Sequence, residues 1–254
     1  EDLEFRTLAK RVLNTTRSKE KKIDPEPEKT KNPTSASNGQ MDLFATSEDK
    51  NILSSYQTIK DQKIKYQLIS TAEKRADLLQ NLLQQKSVCF DTETTSINPL
   101  KADLVGLSFC YKKNTAFYVY VPEGEELKIV SEFRPFFENT KIEKIAHNLK
   151  YDYKVLAKYG IKVSAPFFDT MLAHYLLEPD QRHNMNILAQ NYLKYTTVNI
   201  ETLIGKKGKK QLSMRQAPLE KVCDYACEDA DITWQLKVLF EQMLKDTPLI
   251  KLLQ

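Results

Sequence analysis

The 254-residue sequence predicts an α/β domain organised around a mixed β-sheet. Three observations carry that expectation. Segments with strand character come in the order β, α, β, β, β, α, β. Two of them, Asp103–Tyr111 and Thr115–Val121, are separated only by Lys112-Lys113-Asn114, which makes them a hairpin. After the last strand the pattern turns almost wholly helical. A hydrophobic fraction of 41% and a charged fraction of 28% suit a soluble globular chain, and a net charge of only +4 gives no composition-level sign of a nucleic-acid partner.

The elements follow in order. Residues 1–20 have short-helix spacing at Leu3, Phe5, Leu8, Val12 and Leu13, and 21–39 shift to charged residues, prolines and a Ser/Thr/Asn run. Such a segment buries too little apolar surface to offset its ordering entropy, so it reads as a linker. Globular patterning begins near Ile64. Tyr66–Ile69 reads as a strand, and Ser70-Thr71-Ala72-Glu73 reads as a capping-box start for a helix carrying Leu78, Leu79, Leu82 and Leu83. A strand at 87–93 and the hairpin follow. A helix from Leu127 to Glu138 then leads to a short strand, Lys144–His147. Helices are expected at 149–158, 170–177, 186–194 and 218–245, with a basic loop at 205–210. No apolar run approaches a membrane span, and nothing at the start of the chain resembles a signal peptide. The four cysteines, Cys89, Cys110, Cys223 and Cys227, lack the paired spacing of a zinc site and read as free thiols.

The chemistry is concentrated in acidic residues that interrupt apolar patterns. In Val88-Cys89-Phe90-Asp91-Thr92-Glu93, strand alternation puts Asp91 and Glu93 on one face at the end of a buried run. Two like charges beside a core are costly unless protons or cations compensate them. Asp152 is the odd carboxylate on the helical stripe Leu149, Asp152, Tyr153, Leu156, for which Asn148 is well placed as N-cap. Asp229 is the odd one on the stripe Tyr225, Asp229, Ile232, Leu236, with Tyr225 one turn before it. In that helix Leu219, Val222, Ala226 and Ala230 face the core. Asp224, Glu228, Asp231 and Gln235 share a third stripe that reads as solvated surface. Carboxylates without His or Cys suit a hard divalent cation.

Phe-Asp-Thr-Glu-Thr at 90–94, Asn-Leu-Lys-Tyr-Asp at 148–152 and Tyr-Ala-Cys-Glu-Asp-Ala-Asp at 225–231 resemble the three motifs of the DEDDy class of 3′-5′ exonucleases. The resemblance is to the proofreading domain of bacterial family A DNA polymerase I. It runs on through Asp169–Leu172, Asn186–Ala189 and Gly205–Leu212 and so covers roughly 64–245. It implies an RNase H-like (DnaQ-like) mixed sheet flanked by helices. Asp91, Glu93, Asp152 and Asp229 would hold two divalent cations, Mg²⁺ with Mn²⁺ able to substitute, and Tyr225 would orient the attacking water. It places Thr94, Ile97, Asn148 and Tyr151 along the terminal nucleotides. At Met214, where the family has an aromatic residue, it implies a softer apolar contact.

The implied substrate is a single-stranded DNA 3′ end, handled by a monomer in the bacterial cytoplasm at the nucleoid. The implied layout is a linker and tail of a 5′-nuclease domain at 1–62, the exonuclease domain at 63–245, and the approach to a polymerase domain at 246–254. Gln40-Met41-Asp42-Leu43-Phe44 is similar to the pentapeptide that docks DNA-processing proteins on the sliding clamp, with Leu43 and Phe44 filling a pocket and Gln40 hydrogen-bonding; two chance hydrophobes in a linker are the plainer reading. His147 reads as structural, and His174 and His183 have no evident role. The loop at 205–210 suits either phosphate contact or simple solvation. Two other functions fit the same residues: a ribonuclease D-like enzyme trimming RNA, and a catalytically silent fold kept as a DNA-binding spacer. The first differs by substrate, the second by the absence of metal binding.

Overall fold

The computed structural model describes residues 56–208, 210–245 and 247–252. The expected N-terminal helix, the linker and Gln40, Leu43 and Phe44 lie outside the described residues. Six strands form one sheet: β1 (Lys65–Ile69), β2 (Ser87–Thr94), β3 (Leu104–Lys112), β4 (Thr115–Tyr120), β5 (Glu143–Ala146) and β6 (Phe167–Asp169). Their spatial order is β1-β4-β3-β2-β5-β6. The hairpin partners β3 and β4 and the neighbours β2 and β3 are antiparallel. The pairs β1–β4, β2–β5 and β5–β6 are parallel, which makes the sheet mixed and puts β2 inside it.

Eight α-helices are described: α1 (Ala72–Leu83), α2 (Glu126–Glu132), α3 (Arg134–Phe137), α4 (Leu149–Ala157), α5 (Thr170–Leu177), α6 (Met185–Leu188), α7 (Glu201–Ile204) and α8 (Leu219–Lys245). They cover both faces of the sheet, as its apolar strands require. On one face Leu78 and Leu82 of α1, Phe133, Phe136 and Phe137, and Val155 and Leu156 of α4 pack over Val88, Phe90 and Phe109. Aromatic rings fill this layer: Phe90 meets Phe137 edge-on at 5.2 Å and Phe109 stacks on Phe133 at 5.3 Å. On the other face α8 lies across Cys89, Cys110 and Tyr118, joined by residues of α5 and α6. All four cysteines are free and buried in this second layer. Among the described residues no helix is long and apolar enough to cross a membrane.

Several expectations change. The cap of α1 is Thr71, whose side chain accepts from the Lys74 amide, rather than Ser70. The helix expected over 127–138 breaks into α2 and α3 at Phe133 because Pro135 sits in the first turn of the second piece and cannot continue the hydrogen-bond ladder. The segment expected as one helix over 186–194 is one turn of α-helix followed by a π-turn at Ala189–Leu193. The short strand β6 and helix α7 were not anticipated. On α4, Tyr153 is exposed and Val155 takes its place on the buried stripe. The largest correction concerns α8. Glu228 and Asp231, expected at the surface, are fully buried. Glu228 accepts from the Tyr195 hydroxyl and the Val198 amide, both at 2.6 Å. Asp231 accepts from the Tyr66 hydroxyl at 2.9 Å and from the Asn114 amide. These carboxylates tie the helix to β1, to the β3–β4 turn and to the segment after the π-turn.

Candidate active site

Strand β2 delivers the acidic pair. Val88 and Phe90 enter one layer and Cys89 the other, so the same alternation turns Asp91 and Glu93 toward α8 and Thr92 toward α4. The strand ends in an irregularity between Glu93 and Thr94, where its register against β3 shifts. Glu93 lies opposite Gly106. A Cβ at 106 would stand 2.3 Å from the ring of Tyr118, so the absent side chain is what lets that buried ring lie beside Glu93.

Asp229 reaches the pair from α8. One carboxylate oxygen each from Asp91, Glu93 and Asp229 lie within 4.8 Å of one another. Oε1 of Glu93 is buried without a hydrogen-bond partner among the described residues, and no ion pair described there reaches any of these acids. Desolvation therefore raises all of them, and repulsion adds to it at Glu93 and Asp229. Burial pushes Asp91 up to about 7. Burial, with help from Asp91, lifts Glu93 and Asp229 well above the carboxylate range. Negative oxygens crowded into a low dielectric, with one acceptor orphaned, are the electrostatic signature of a cation site. The donors are all hard oxygens, which fits a divalent ion of the Mg²⁺ type.

Asp152 stands apart from this trio. It comes from α4, in the opposite layer, and its Oδ1 accepts from the Thr92 hydroxyl at 2.6 Å and amide at 3.2 Å. Burial and then Asp91 raise its carboxyl, so it shares the trio's field from across the strand. The expected four-acid cage is thus three acids in direct proximity and a fourth held one residue away by Thr92, a residue that no local pattern singles out. Tyr225 lies one turn before Asp229, and its hydroxyl interacts with that carboxylate. Burial, then the charge of Asp229, pushes its phenol well above the usual range, so it stays protonated at any working pH.

Around this centre, Thr94 Oγ1 and the Tyr151 hydroxyl are 2.6 Å apart, and Tyr151 also donates to the Ser96 carbonyl at 2.5 Å. Ile97 stands out from the following loop with 91% of its surface exposed. Asn148 starts α4 in the left-handed region (φ 67°, ψ 49°) and makes no side-chain cap, a correction to the expected N-cap. Its amide and that of Leu149 are instead taken by the Asp169 carboxylate, at 3.2 and 2.9 Å. Met214 is buried in the α8 layer at 4% exposure and offers no surface to a base. His147 bonds Thr170 Oγ1 at 2.9 Å, and burial drops its imidazole to about 4, which keeps it neutral and structural. His174 and His183 pair through their Nδ1 atoms at 2.6 Å. The described residues of the basic loop are exposed.

Residues 66–245 match a family described as 3′-5′ exonuclease. The chain belongs to that exonuclease family. Among relatives, it is 33% identical over 220 residues to DNA polymerase I of Borreliella burgdorferi, covering 84% of this chain and 24% of that protein. It is 37% identical over 188 residues to DNA polymerase I of Chloroflexus aurantiacus, covering 71% of this chain and 20% of that one. The exonuclease chain therefore spans a quarter or less of the curated relatives it matches. Among solved structures, Escherichia coli RNase D superposes with a TM-score of 0.60 at 13% identity, over 75% of this chain and 48% of that one. Brucella melitensis NrnC with bound Mg²⁺ superposes with a TM-score of 0.55 at 21% identity, over 76% and 87%. These likenesses establish the RNase H-like exonuclease fold. That NrnC structure holds Mg²⁺, and the acid cluster found here offers hard oxygen ligands of the kind such an ion takes.

Proposed function

We propose that this exonuclease removes 5′-mononucleotides from single-stranded or frayed DNA 3′ ends, as the proofreading domain of a DNA polymerase I. The observation that carries the reading is the trio Asp91, Glu93 and Asp229 with the orphaned Glu93 oxygen. In this reading residues 63–245 are the exonuclease domain, 1–62 a linker and tail, and 246–254 the approach to a polymerase domain of the same chain. Relatives that are longer DNA polymerase I chains support it.

Asp91, Glu93 and Asp229 would hold one Mg²⁺, and Asp152 beside Asp91 would contribute to a second; Mn²⁺ would substitute. Bound there, divalent cations supply Lewis acidity that makes water nucleophilic at neutral pH and offsets charge on the phosphodiester. The chain's own groups do the rest. Tyr225, protonated beside Asp229, hydrogen-bonds the attacking water and fixes its line of approach. The water oxygen bonds to phosphorus as the P–O3′ bond breaks; the proton the water loses passes to solvent, and the departing O3′ takes one from solvent to become the new 3′-hydroxyl. Thr94 and Tyr151, already hydrogen-bonded to one another, flank the terminal nucleotide. Ile97 offers an apolar surface to its base, and Asn148 presents a carboxamide not committed to capping. The segment Gln40–Phe44 would attach the chain to a sliding clamp.

The test is digestion of 3′-labelled single-stranded DNA and RNA of one sequence with Mg²⁺, by the wild type and by Asp91→Ala/Glu93→Ala. The reading predicts stepwise loss of label from DNA that the double variant abolishes. Faster degradation of RNA would instead favour a ribonuclease D-like role, and inactivity on both despite bound metal would favour a silent spacer.

A further inference from the structure

We infer that Asp169 is a positioning residue for the active site, capping the helix that carries Tyr151 and Asp152 from outside that helix. The inference rests on the exonuclease reading for its consequence but on geometry for its content. Asp169 ends β6 and is buried at 7% exposure. Its carboxylate accepts four backbone amides. Two belong to the helix it begins, Met171 at 2.9 Å and Leu172 at 3.3 Å, both on Oδ1. The other two belong to α4, Asn148 at 3.2 Å on Oδ1 and Leu149 at 2.9 Å on Oδ2. One side chain thus serves as N-cap of α5 in its own chain segment and takes the first two free amides of α4 across the sheet edge.

Two consequences follow for the site. An Asn at a helix start ordinarily folds its side chain back onto the first free amides. Here Asp169 holds the Asn148 and Leu149 amides and the Asn148 carbonyl takes the Tyr151 amide, while Asn148 sits left-handed with its side chain making no cap. The first turn of α4 is also pinned at a fixed point, and that turn sets where Tyr151 and Asp152 fall. Tyr151 must reach Thr94 and Ser96, and Asp152 must reach Thr92 beside the acidic trio. A displacement of ~1 Å in such a turn can cost on the order of 100-fold in rate.

The substitution that isolates the role is Asp169→Asn. Asn is as good an N-cap as Asp, and its single carbonyl oxygen can still serve Met171 and Leu172. Its NH₂ group then replaces Oδ2 and opposes the Leu149 amide, donor against donor. Asp169→Ser likewise keeps a cap for α5 but reaches α4 with nothing. We expect both variants to melt close to the wild type while kcat falls on the order of 10- to 100-fold and KM changes less than ~3-fold. Amide hydrogen exchange gives a readout independent of activity. The Leu149 amide should lose protection in both variants, and the Asn148 amide, which is held by Oδ1, only in Asp169→Ser, while the Met171 and Leu172 amides keep theirs in both. Wild-type kcat with unchanged protection at 148 and 149 would overturn the inference. So would a loss of activity that merely follows global unfolding. Altered protection at 148 and 149 in a chain whose wild type degrades no nucleic acid would uphold the cap and reject the exonuclease reading.

Discussion

Replacing Asp91 by Asn should stabilise the metal-free protein, although it removes a residue from the centre of the site. Burial raises the Asp91 carboxyl from an ordinary 3.8 to about 7. The folded state therefore keeps a proton that the unfolded chain releases between about pH 4 and 7, and stability falls as pH rises through that window. At ~1.4 kcal/mol per pH unit, ionising this one group costs the metal-free fold roughly 4 kcal/mol above pH 7. Glu93 and Asp229, raised by the same crowding, deepen the cost. The amide of Asp91→Asn carries no charge and escapes it. In a chelating buffer at pH 8 the variant should melt higher than the wild type, by on the order of 5–15 °C for a domain of this size. The two should converge toward pH 4. Adding Mg²⁺ should raise the wild type and leave the variant nearly unmoved, because a ligand that binds only the folded state stabilises it by mass action. Thermal melts at matched ionic strength, with and without chelator, measure all of this. A variant less stable than the wild type at pH 8 without metal, or a difference that does not shrink on acidification, would refute the reasoning.

Three further outcomes test other parts of the account. Gly106→Ala puts a methyl group 2.3 Å from the ring of Tyr118, which is fully buried; it should cost ~1–3 kcal/mol in denaturant melts and lower activity by disturbing β3 opposite Glu93. Tyr225→Phe should retain metal binding and folding yet lose on the order of 10- to 100-fold in kcat, read by single-turnover digestion, since only the hydroxyl proposed to orient the water is gone. Asp231→Ala should leave the half-buried Tyr66 hydroxyl and Asn114 amide without their acceptor, lowering stability by roughly 1–3 kcal/mol; activity per folded molecule should stay unchanged, since Asp231 belongs to the anchoring of α8 and not to the site.

What could be read in advance, and what could not, follows the range of the interactions. Asp91 and Glu93 were legible because strand alternation is local and an apolar run marked their side as buried. Asp152 and Asp229 were legible as interruptions of apolar helical stripes. Glu228 and Asp231 were misjudged because a helix considered alone has one wet face. Helix α8 is enclosed on a third side by Tyr195, Val198, Tyr66 and Asn114, partners that only the fold assembles. Asn148 obeyed every local rule for an N-cap and lost the role to a carboxylate 21 residues later in sequence. By contrast, the break before α3 was announced by Pro135, a local signal that the apolar run of phenylalanines obscured. Met214 stands where the family has an aromatic residue, but its place in the α8 layer is set by packing that no motif encodes.

The central claim is that Asp91, Glu93 and Asp229 form a divalent-cation site, and calorimetric titration of the full chain with Mn²⁺ at neutral pH tests it most directly. The account predicts saturable binding by the wild type that Asp91→Ala/Glu93→Ala abolishes while the circular dichroism of the fold is retained. Equal Mn²⁺ binding by the folded double variant, or none by the wild type, would contradict it.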